Sequence, residues 1–153
     1  MKKLIVPILM SFSSVFAFNY DEYKVVDIDL FLKKTNLSES NGMSISFDNG
    51  GRVQFDAKLI TYARPCTKNI DNLFSMLVSV TGKDVQDLFS VCIIISTPKG
   101  TALEMPIQAQ VADYLPKEAK LQSSIRFFGA LALYLHDPSR GRPLLLINEY
   151  KTK

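Results

Sequence analysis

Apolar side chains fall at every second position in two neighbouring stretches. Met43, Ile45 and Phe47 form the first and Val53, Phe55, Ala57 and Leu59 the second, with Ser44, Ser46, Gln54, Asp56 and Lys58 between them. A period of two marks a half-buried strand. The "DNGG" at 48–51 separates the stretches. Its Asn and Gly residues supply the positive φ of a hairpin turn, so a hairpin is expected. After Leu59 the alternation slips, with Ile60 and Tyr62 on the polar side. That predicts a covered face or a bulge.

The period then changes. Ile70, Leu73, Phe74, Leu77 and Val78 lie at helical spacing, Thr67 or Asn69 can cap the start, and Gly82 can end the run. An amphipathic helix buries its apolar stripe by default, so this stripe is expected to pack on the core. "LFSVCIIIST" (88–97) is an apolar strand closed by the turn "PKG". In "TALEMPIQAQVADYL", Leu103, Met105, Ile107, Ala109 and Val111 share one face, with Glu104, Gln108 and Gln110 on the other. Pro106 lacks a ladder donor and predicts an edge or bulge. "PKEAKLQSS" (116–124) reads as a linker with one helical turn. "SIRFFGALALYLHD" follows as a strand with Ile125, Phe127, Leu131, Leu133 and Leu135 on one side, and Gly129 predicts a sharp bend. "RPLLLINEYK" (142–151) is the last strand. Nearer the start, residues 28–34 fit a short helix capped by Asp27, but a strand through "YKVVDIDLFL" fits as well.

The order strand, helical connection, strand, tight turn, strand, linker, strand, turn, strand predicts a mainly β fold with a helical insert. It suits a small OB-like Greek-key barrel of five to six strands, with an α+β half-barrel as the alternative. On that order over residues 51–150, the bent strand "IRFFGALALYL" and the short strand "LLLINEY", the chain resembles the small periplasmic bacterial OB-fold proteins. It departs from them in the strand at 43–48, the helical insert and the cysteine pair.

The first seventeen residues, "MKKLIVPILMSFSSVFA", combine a Lys2-Lys3 start, an apolar run from Leu4 to Phe16 and the compact Val15-Phe16-Ala17 end. That is the pattern of a secretory signal peptide cleaved after Ala17. The run is shorter than the ~20 residues a bilayer needs, and Pro7 interrupts it. The division expected is 1–17 signal peptide, 18–42 N-terminal helix or loop segment, and 43–153 a single barrel domain. The periplasm is the first expected location, with secretion the alternative. Removing Lys2 and Lys3 from the 18 basic residues leaves 16 against 15 acidic ones. The basic balance is therefore mostly a property of the leader, and charge does not point to nucleic acid. Cys66 and Cys92 are the two cysteines. In an oxidising compartment an even pair reads as one disulfide.

The resemblance implies where a ligand would bind. OB-folds bind on the face of strands two and three, flanked by the first–second and fourth–fifth loops, here 63–88 and 136–142. That surface would hold Tyr62, Arg64, Glu104, Gln108 and Gln110, with His136, Arg140 and Arg142 from the last loop. Arg126, Phe128 and Tyr134 share a face of their strand by period two, which makes Arg126 and Tyr134 further candidate contacts for the ligand or partner. The single histidine, His136, starts a turn, and no phosphate-loop or dinucleotide glycine motif occurs. No catalytic residue, metal or cofactor is expected. The expectation is an exported binding or adaptor module for an envelope protein, peptide or glycan. A secreted interaction protein, similar to an OB-type toxin subunit or an enzyme inhibitor, is the alternative, and a hydrolase is the third class.

Overall fold

The computed structural model describes residues 18–35, 44–46, 51–136 and 142–153. Five strands form a closed barrel: β3 (Arg52–Pro65), β4 (Val91–Ser96), β5 (Ala102–Ile107), β6 (Ser124–His136) and β7 (Arg142–Thr152). They lie in the order β3-β4-β5-β7-β6, and β6 pairs back onto β3. Among these five strands β5 and β7 alone pair parallel, bridged at Ile107 and Ile147. This is a small OB-like barrel, and its closure removes the half-barrel alternative. Two short strands extend the sheet. β1 (Lys24–Val25) pairs parallel with Val53 and Gln54 of β3, and β2 (Ser44–Ser46) pairs with β6.

β3 serves two neighbours in turn. Its first half, Arg52 to Lys58, pairs with β6, and its second half, Lys58 to Pro65, pairs with β4. The strand must coil to do this. The register shifts between Leu59 and Thr61, and again before Arg64, where the hydrophobic alternation slips. The Thr61 hydroxyl accepts the Ile94 N–H at 3.0 Å and so covers a ladder donor released there. Gly129 sits at a second shift, where β6 bends against β7. A Cβ there would lie 2.8 Å from the Leu146 carbonyl oxygen, so the two strands approach closely only because this residue is glycine.

The barrel interior is filled by Phe55, Leu59, Ile93, Ile95, Met105, Ile107, Ile125, Phe127 and Ile147 among others. α1 (Ile28–Thr35) adds Ile28 to it, and Asp27 caps this helix by accepting the Leu30 N–H at 3.0 Å. Of the two readings of residues 23–34 the helix is the correct one, preceded by two residues of strand. Asp29 of α1 accepts from the Thr97 hydroxyl at 2.6 Å and the Lys99 N–H at 3.1 Å, fastening the helix to the β4–β5 turn.

A second core lies outside the barrel wall. α2 (Lys68–Thr81) buries Ile70, Leu73, Phe74 and Leu77 against Phe89, Cys92, Leu133, Leu135, Leu144 and Leu146. It ends at Gly82, which has φ 68° and donates its N–H to the Val78 carbonyl at 2.8 Å. The disulfide Cys66–Cys92 ties the start of this helix to β4.

Three expectations are corrected. The strand after "PKG" stops at Ile107, and Gln108 turns the chain into α3 (Ala109–Ala112) and α4 (Leu115–Glu118). Ala112, Leu115 and Ala119 recur at intervals of three and four and enter the barrel core. The helical spacing of that trio overrides the alternation through Ala109 and Val111. Among the described residues β2 lies beside β6 and not β3, so the strand pairing expected across "DNGG" is replaced by one with β6. β6 is long enough to pair with β3 up to Ala130 and with β2 from Tyr134, so β2 carries on the line of β3. Residues 47–50 lie outside the described residues. The faces of β6 also exchange. Ile125, Phe127 and Leu131 point into the barrel, but after a shift between Leu131 and Leu133 it is Tyr134 that joins the barrel core. Leu133 and Leu135 turn to α2.

Candidate functional site

The face expected to bind ligand is engaged by its own scaffold. Glu104, on the outer side of β5, accepts the Thr67 N–H at 3.0 Å and the Thr67 hydroxyl at 2.5 Å. Thr67 is the N-cap of α2 and makes no side-chain cap bond to its own helix. Glu104 instead holds the N-cap residue itself from another strand, placing a carboxylate near the positive end of the helix. Arg64 joins this group at 3.7 Å from Glu104. Tyr62 donates its O–H to the Ala119 carbonyl at 2.9 Å. Replacing Glu104 by alanine should cost about 1 kcal/mol and loosen the first turn of α2. Hydrogen exchange at Thr67, Ile70 and Asp71 checks this, and unchanged protection there would remove the anchoring role.

The other expected residues disperse. Arg126 makes a two-pronged pair with Asp56, at 2.9 and 3.0 Å, joined by Lys153 at 3.0 Å. The Arg126 hydrogen bond holds the Asp56 carboxyl below its ordinary range, against an opposing effect of burial, and Asp56 in turn raises Arg126. Tyr134 is buried in the barrel and is not on the face of Arg126 and Phe128. The backbones of His136 and Arg142 end β6 and start β7. Their side chains, and Arg140 with the turn at 137–141, lie outside the described residues, as do residues 1–17.

Phe128 has an unexpected cover. It packs beneath Phe18, Tyr20 and Tyr23, with ring centroids 5.8, 4.8 and 5.6 Å away. A single turn of 3-10 helix, Tyr20–Glu22, shapes this segment, and the Gln54 side chain holds the Tyr23 carbonyl at 2.7 Å. Arg52 pairs with Glu22, and its guanidinium lies 5.9 Å from the Tyr23 ring centre.

Where this segment meets the barrel, a cleft of about 510 Å³ opens. Its lining is Phe18, Asn19, Glu22, Tyr23, Arg52, Gln108, Val111, Asn148 and Glu149. Hydrogen bonds orient the lining. Gln108 donates to Asn148 at 3.2 Å, and Asn148 donates to the Tyr23 hydroxyl at 3.2 Å. Burial raises the Tyr23 phenol above its usual value, which keeps it protonated. A neighbouring cleft of about 370 Å³ shares Val111 and Glu149 and adds Gln110, Tyr114, Glu118 and Tyr150. There the Tyr150 O–H donates to Glu118 at 2.7 Å, and burial, followed by that carboxylate, pushes the phenol well up.

Gln108 and Gln110 are thus the expected residues that reach a cleft. Tyr23, Arg52, Asn148 and Glu149 were not expected. The available signal was Asn148 and Glu149, which interrupt the apolar run "PLLLINEY". Tyr23 and Arg52 are far from it in sequence and carried none. Among the described residues, no group of three or more His, Cys, Asp or Glu could hold a metal ion, and no helix is long and apolar enough to cross a membrane.

Comparison of the chain with known protein families, with curated proteins and with solved structures finds no match.

Proposed function

We propose that this chain is an exported, non-catalytic binding or adaptor module of the bacterial envelope, similar to the small periplasmic OB-fold proteins, whose partner is an envelope protein, peptide or glycan. The observation that carries the reading is the polar cleft at Tyr23, Arg52, Gln108, Asn148 and Glu149, whose side chains are oriented by bonds to one another. Clefts of a few hundred Å³ with a few fixed polar groups are the usual form of a ligand site. The Cys66–Cys92 disulfide supports an oxidising compartment, and so do the leader-like first seventeen residues.

Native mass spectrometry of the protein purified from periplasmic extract, then incubated with envelope extract, tests this. The expected protein starts at Phe18 and carries a saturable adduct. Asn148→Ala should lose the adduct and Arg64→Ala should keep it. A chain retaining residues 1–17 would remove the export reading. No adduct, or equal adducts in both variants, would remove the binding reading at this cleft.

A further inference from the structure

We infer that the cleft beside Tyr23 takes a neutral, hydroxyl-rich saccharide. This deepens the binding-module reading and rests on it. A sugar hydroxyl donates and accepts at once, so it is matched by groups that offer both, side by side. The relay from Gln108 through Asn148 to Tyr23 supplies them. Gln108 uses one N–H on Asn148 and keeps its carbonyl oxygen and second N–H. Asn148 donates one N–H to the Tyr23 oxygen and keeps another. The Tyr23 oxygen accepts there, so its own proton can be donated. Glu149 accepts the Tyr150 N–H at 3.0 Å through one oxygen, leaving the second.

Charge narrows the ligand further. Arg52 and Glu22 pair with each other, and in the mature chain the free α-ammonium of Phe18 stands in the same lining as Glu149. The lining then carries no net charge, which favours an uncharged ligand. A peptide is matched less well. Peptides gain affinity from a sheet edge or from apolar pockets for their side chains. Among the described residues of the lining, Val111 is the only aliphatic one. The cleft, about 510 Å³, has room for a small ligand.

Nuclear magnetic resonance titration of the mature protein with glucosamine, maltose and chitotriose tests the inference, with glucuronic acid and tetra-alanine alongside. Saturable shifts of the Gln108 and Asn148 side-chain amides are expected with maltose and chitotriose. Gln108→Ala should bind about tenfold more weakly, the loss of one or two hydrogen bonds. Glu149→Gln, which keeps its shape and leaves the lining net positive, should admit glucuronic acid, and it reads the same site if Gln108→Ala does not fold. No saturable shift at those amides with either neutral sugar overturns the inference. Shifts there with tetra-alanine alone overturn the saccharide assignment and leave the binding module standing.

Discussion

Replacing Cys66 and Cys92 together by alanine is expected to lower the unfolding free energy by about 3–4 kcal/mol. The pair is separated by 26 residues along the chain. Cross-linking a loop of that length removes about that much chain entropy from the unfolded state. Location adds a second cost. Cys92 is fully buried in the core beneath α2, and Cys66 precedes the N-cap of that helix. The bond therefore fastens the whole second core to the barrel wall. For a chain of this size the loss should appear as a fall in melting temperature of about 10 °C, followed by circular dichroism. A drop of less than about 1 kcal/mol would show that packing of Ile70, Phe74 and Leu77 holds α2 without the bond.

Gly129→Ala should cost about 2–3 kcal/mol, the range for forcing extra volume into a packed site. The added Cβ would meet the Leu146 carbonyl oxygen at 2.8 Å and the Ile147 Cδ1 at 3.0 Å. The second contact can be relieved by rotating a side chain. The first is backbone, and moving it strains the β6–β7 ladder at its bend. Gly100→Ala is the informative contrast. A Cβ there meets nothing within 4 Å, but φ is +86°. Its cost should be about 1 kcal/mol, from backbone conformation alone. Urea denaturation of both variants separates the two causes. A Gly129→Ala protein as stable as the wild type would mean the bend relaxes freely.

The legible parts of the fold were those set by local spacing. Asp27 before Ile28, the stripe from Ile70 to Leu77, the slip after Leu59 and the glycine in "FFGAL" each carry their cause within a few residues. Strand partners were harder to read. "DNGG" has the chemistry of a turn, yet β2 is placed by the length of β6, which lies more than eighty residues later. The helix from Ala109 was hidden because "IQAQVA" satisfies a period of two as well as helical spacing. The site was the least legible. Glu104 reads as part of an open binding face because nothing near it in sequence shows that it holds Thr67. The cleft joins Tyr23 to Asn148, and no local pattern spans that distance.

The clasp of Tyr23 on Asn148 has a consequence for how the chain acquires its shape. The two residues are 125 positions apart, and Asp56 waits for Lys153 across 97. Bonds of such separation impose a large loop-closure cost before they return any stability, which slows folding. The last strand made, β7, is thus needed to seat the first segment made. A growing chain has no completed barrel until β7 emerges. Until then β5 and β6 each lack the neighbour that joins them.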